Sequence, residues 1–94
     1  MEIICRVIEQ HPLQEREYTR NGIPGKFASM GFLLQSGDDQ LYCEMVQESA
    51  RQQGTLSKDF YYKATLNARV RDWTDSNHQT RHEQGLTLVK IAVL

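Results

Sequence analysis

The stretch Tyr61–Trp73 alternates without a break. Tyr62, Ala64, Leu66, Ala68 and Val70 fall on one side, and Tyr61, Lys63, Thr65, Asn67, Arg69, Arg71 and Trp73 on the other. A period of two held that long specifies a β-strand, because a helix would scatter both sets around its circumference. One side is apolar and small. The other is polar, basic and aromatic and carries no acid. Such a strand hides one face and shows the other to water, so the chain must supply neighbours that pair with it.

The remaining segments supply them. Glu2–Glu9 is short, β-branched and bounded by His11-Pro12, and it reads as a first strand. Gln10–Gly25 is polar, with Pro12, Asn21-Gly22 and Pro24-Gly25, and reads as a long loop or irregular hairpin tip. Lys26–Gln35 is a second strand, in which Gly31 suits a bulge or sharp bend. Met30, Phe32, Leu33 and Leu34 there are expected in the core. Ser36-Gly37-Asp38-Asp39 forms a tight turn into a third strand, Gln40–Val46. Gln47–Gln53 lacks β-branched residues and suits a short helix ending at Gly54. Thr55–Asp59 connects it to the alternating strand. A hairpin over Asp72–Thr80 then leads to the last strand, Leu86–Val93.

Three strands, a short helix and two strands, in 94 residues, make one all-β domain. That is the order of a five-stranded Greek-key barrel of the OB type with a helix between strands three and four. Its interior should include Tyr62, Ala64, Leu66, Ala68 and Val70. With only 39% apolar residues the core should be thin, which favours a homo-oligomer, a dimer first. Cys5 and Cys43 lie in apolar strands and are expected as buried free thiols. No secretory signal and no run near the ~20 apolar residues of a membrane helix is present, so a cytoplasmic location is expected and no membrane partner.

The net charge of −1 does not advertise a polyanion partner, but its distribution is uneven. Residues 61–81 carry a net +2 and residues 14–27, with Arg16, Arg20 and Lys26, a net +1. Aromatic rings for bases and cations for phosphates are what a single-strand binding face needs. The polar row of the fourth strand has both, so Tyr61, Lys63, Arg69, Arg71 and Trp73 are candidate contacts, joined by Arg20 and Lys26. A solvated sheet face with Trp73 packed over its edge would have the same pattern.

The run Arg69-Val70-Arg71-Asp72-Trp73-Thr74-Asp75-Ser76-Asn77-His78-Gln79-Thr80-Arg81 resembles the fourth-strand hairpin of bacterial single-stranded DNA-binding proteins. That family shows a basic strand end, Trp-Thr-Asp, a turn with Gly and an Arg eight residues after the Trp. Asn21-Gly22-Ile23-Pro24 and Tyr42-Cys43-Glu44-Met45 are similar to the primosomal replication protein N family, dimeric relatives with the same fold. The resemblance implies Trp73 as a base-stacking residue and Arg69, Arg71 and Arg81 as backbone contacts. Two positions depart from it. His78 stands where the family has its turn Gly, and Leu41 and Tyr42 lie near its third-strand stacking Trp. After the last strand a bare barrel is expected, without the linker and acidic tail of the replication proteins.

No nucleophile motif or phosphate-binding Gly loop is present, so an enzyme is not expected and no cofactor is called for. His78, His82 and Glu83 are not expected to hold a metal, because four-residue spacing on a hairpin does not converge two imidazoles. Two functions follow: binding of single-stranded DNA, or of RNA by the same chemistry, and a protein-interaction or assembly subunit that keeps the fold without nucleic-acid affinity.

Overall fold

The computed structural model describes residues 1–94. Its elements are β1 (Glu2–Gln10), β2 (Gln14–Arg20), β3 (Ile23–Ser36), β4 (Asp39–Val46), α1 (Gln47–Gln52), β5 (Tyr62–Thr74) and β6 (Thr80–Val93). The sheet runs β1-β5-β6-β4-β3-β2, and β1 also pairs with β3. Five strands therefore close into an uneven ring, and β2 lies outside it. All pairings are antiparallel except the seam between β4 and β6, which is a single parallel bridge at Glu44 and Thr87.

The core is thin, with 14 of 94 residues buried. Cys5 and Val7 of β1, Met30, Phe32 and Leu34 of β3, Cys43 and Met45 of β4, Tyr62, Ala64 and Leu66 of β5 and Leu88 of β6 fill the ring. Ala50 of α1 plugs one end. Leu33, which alternation places on the outer side of β3, is only half-buried. Both cysteines are free and buried, as their apolar strands imply. Burial pushes the Cys43 thiol up to about 12, with smaller contributions from Cys5 and Glu44. Gln10 ties the connection after α1 to β1, accepting from the Leu56 N–H at 2.8 Å and donating to the Gly54 carbonyl at 3.0 Å.

Four expectations are corrected. Gln10–Gly25 is mostly strand: β2 pairs with β3 from Gln14↔Ser29 to Arg20↔Ile23. Asn21 (φ 52°) and Gly22 (φ 77°) both take the positive φ that a tight two-residue hairpin requires. All seven residues of β2 are exposed, so no apolar face marks it. The last strand starts at Thr80, not Leu86, because β6 follows β5 to the hairpin tip. Ala68 and Val70 share the parity of Leu66 but are exposed, since the barrel ends at Leu66 and the β5–β6 hairpin runs on as a free arm. From Leu66 to Trp73 that arm adds roughly 23 Å. Gly31 makes no bulge, and the β3–β4 register passes through it unbroken. The bulges lie instead at Ile8 in β1 and Val89 in β6.

Two hairpin arms thus leave the ring. The root of the β2–β3 arm is held by Arg51 of α1, which donates to Glu15 at 3.2 Å and to the Lys26 carbonyl at 3.3 Å. The Gln47 amide oxygen accepts from the Ala28 N–H at 3.1 Å beside it. Hydrogen bonds to Glu48 and Glu15 hold the Arg51 guanidinium firmly charged, its pKa raised above the ordinary range.

Candidate nucleic-acid interface

Alternation along β5 puts Lys63, Thr65, Asn67, Arg69, Arg71 and Trp73 on the outside of the sheet, with Tyr61 just before the strand. The far end of this row is open. Trp73 is 45% exposed and stands opposite Arg81, while Arg71 faces Glu83 and Arg69 faces Gly85. Gly85 adds no side chain, so the aliphatic stem of Arg69 lies over bare backbone. Arg69 and Arg71 take part in no ion pair.

The hairpin tip is organised by Asp75. One carboxylate oxygen accepts from the Asn77 and Gln79 N–H groups at 2.9 and 3.0 Å, and the other from Arg81 Nε at 2.8 Å. The Gln79 amide and then Arg81 hold this carboxyl below its ordinary value. Arg81 is thus held as part of the tip through Nε, which leaves its two terminal nitrogens free. His78 has φ 60° and does the conformational work of a turn glycine. His82 bonds to Asp72 at 2.6 Å on the side of the arm opposite Trp73.

Tyr61 and Lys63 sit at the other end of β5. Lys63 pairs with Glu2 at 3.3 Å, and the Arg6 guanidinium lies 5.6 Å from the Tyr61 ring centre. Ten residues of strand, roughly 33 Å, separate Lys63 from Trp73. Arg20 ends β2 at the tip of the other arm. Lys26 faces the opposite way from Arg20, because it shares parity with buried Ala28 and stands opposite Glu17.

The outer face of β2, β3 and β4 sets Tyr18 and Phe27, which sequence reading passed over, beside Arg20 and Tyr42, which it named. Gln14, Arg16, Tyr18 and Arg20 share it with Gly25, Phe27, Ser29 and Gly31 of β3 and with Tyr42 and Glu44 of β4. A Cβ on Gly25 would meet the Tyr18 ring at 2.7 Å, and one on Gly31 would overlap the Tyr42 hydroxyl. Each glycine is therefore a slot in which a tyrosine ring lies flat against the strand. The Arg16 guanidinium stands 5.9 Å from the Phe27 ring centre, and His11 packs edge-on to Tyr42 with centroids 5.8 Å apart. Tyr42 is still 51% exposed. Burial, Glu44 and Cys43 raise its pKa. Asn21-Gly22 was the available signal, since that dipeptide predicts a tight hairpin and with it the alternation Arg16, Tyr18, Arg20.

The two faces are one. Asn67 pairs with Thr87, Thr87 with Glu44 and Glu44 with Gly31, so the outer surface of the β5–β6 arm continues across the seam onto Tyr42. No family model and no curated protein matches this chain. No cluster of three or more His, Cys, Asp or Glu is placed to hold a metal, and no helix is long and apolar enough to cross a membrane.

Proposed function

We propose that the chain is an OB-fold barrel that binds single-stranded nucleic acid, DNA first, by stacking bases on exposed rings and holding the backbone with arginines. The observation that carries this is the single outer face from Trp73 through Tyr42, Phe27 and Tyr18 to Arg20. The ring order β1-β3-β4-β6-β5 with α1 before β5 supports the five-stranded Greek-key reading. In that fold the second and third barrel strands and the loops flanking them receive oligonucleotides. Here those strands are β3 and β4, and the two arms occupy the places of the loops. Kinship with bacterial single-stranded DNA-binding proteins and primosomal replication protein N, a cytoplasmic location and no catalysis complete the proposal. The thin core favours a dimer.

A fluorescence titration of Trp73 with a mixed-sequence 20-mer at two salt concentrations tests it. Arg16, Arg20, Arg69 and Arg71 are outside every ion pair. About four counterions should be released, giving a slope of log K on log salt of roughly −2 to −3. Salt-independent affinity would remove the arginines from the interface. The net charge of −1 favours a second reading, an assembly subunit without nucleic-acid affinity. A protein partner with no oligonucleotide effect would establish that one.

A further inference from the structure

Glu44 is out of place on this face. It stands at the centre of the outer surface, between Thr87 and Gly31, and is exposed. Its carboxylate takes part in no ion pair and no hydrogen bond with a side chain. A polyanion crossing an unpaired carboxylate is repelled by it, unless the group that meets Glu44 is a base edge rather than a phosphate. The surroundings are shaped for a base. A cleft of about 220 Å³ is lined by His11, Arg16, Ser29, Gly31, Tyr42 and Glu44 among others, with room for one planar ring system. The Tyr42 ring lies in the Gly31 slot beside His11, and about half of its surface stays exposed. Gly31, across which the Tyr42 ring lies, is the cross-strand partner of Glu44, so ring and carboxylate border the same cleft.

We infer that this cleft selects guanine within a bound single strand, with the base stacked on Tyr42 and Glu44 accepting from its Watson–Crick edge. The inference rests on the single-strand binding proposed above and names the base that the site prefers. The chemistry singles out guanine. Its N1–H and exocyclic N2–H lie side by side and fit the two oxygens of one carboxylate. Cytosine and adenine offer only an exocyclic amine beside a ring acceptor. Thymine and uracil offer one N–H between two carbonyl oxygens, and those repel a carboxylate. The expected order is guanine, then cytosine and adenine, then thymine. A two-bond contact of this kind discriminates by on the order of tenfold or more.

The test is a titration of Trp73 emission with d(TG), d(TC) and d(TA) repeats and oligo(dT) of equal length, in lithium buffer to suppress quadruplexes. The d(TG) repeat should bind about tenfold more tightly than oligo(dT). Replacing guanine by inosine, which lacks the N2 amine, should remove most of that advantage. Glu44→Gln should level the series, chiefly by raising affinity for oligo(dT). Glu44 is exposed, so the variant keeps its fold, which a thermal melt verifies. Equal wild-type affinities, or a guanine preference surviving in Glu44→Gln, would overturn the inference and leave single-strand binding standing. No binding of any oligonucleotide would overturn the single-strand reading itself, and the guanine site with it.

Discussion

Replacing Gly31 by alanine separates binding from stability. An alanine Cβ would meet Tyr42 Cζ at 2.9 Å and overlap its hydroxyl, so the ring must leave its slot. Because Tyr42 is already half exposed, it can swing into solvent without moving the backbone. The lost edge contact with His11 costs about 0.5–1.5 kcal/mol, and returning the covered half of the ring to water costs roughly 1 kcal/mol more. Against that, alanine in a strand interior gains about 0.5–1 kcal/mol over glycine. The net loss is about 1 kcal/mol, and the melting temperature should fall by roughly 4–8 °C in a domain of this size. The stacking platform, however, is gone. A stacked base is worth about 1–3 kcal/mol, so oligonucleotide affinity should fall roughly five- to a hundred-fold. Circular dichroism melts and anisotropy titrations of the same preparations read both quantities. Unchanged affinity at unchanged stability would refute the assignment of Tyr42 as a platform. A large loss of stability would show that the ring is wedged in place.

Trp73→Ala should likewise weaken binding roughly five- to a hundred-fold, with little change in melting temperature, because the arm carrying Trp73 lies beyond the buried core. A large drop in melting temperature at unchanged affinity would return Trp73 to a packing role. The Asp75 carboxyl titrates below its ordinary value of 3.8 in the folded tip, so the order it contributes is present above that value and lost as pH falls further. Protection factors of the Asn77 and Gln79 amides should fall between pH 6 and pH 3 while those of the barrel amides hold; equal protection at pH 3 and 6 would contradict this. With Cys43 pushed up to about 12 and Cys5 also raised by burial, neither thiol should react with a thiol reagent at pH 8 until the protein unfolds. Labelling of the native protein at the unfolded rate would refute their burial.

Alternation carried the fold wherever one face was apolar. Tyr62, Ala64 and Leu66 announced their burial, and so did the Cys5 and Cys43 strands. It could not say where the barrel stops, because Ala68 and Val70 continue the same pattern on an arm with nothing beneath them. It also missed β2, whose two faces are both polar and leave no periodic contrast. The Trp73 end of the candidate interface was readable from one strand. The Tyr42 end was not, since it depends on glycines meeting tyrosines across neighbouring strands, a relation set by register. Lys26 shows the same limit: its charge suited the interface, but its parity turns it to the other face.

The unclosed side of β2 presents unpaired backbone along Gln14–Arg20, the usual starting point for sheets that grow from molecule to molecule. Two copies meeting edge to edge about a two-fold axis can oppose only residues of equal parity. Centring the contact on Glu17 sets that carboxylate against itself, and centring it on Arg16 opposes Arg16 to Arg16 and Glu15 to Glu17. Centring it on Tyr18 opposes Arg16 to Arg20. Every central register thus meets like charges, which destabilise a cross-strand pair. The strand that no apolar pattern revealed therefore carries charges that weigh against pairing with its own copy in these central registers.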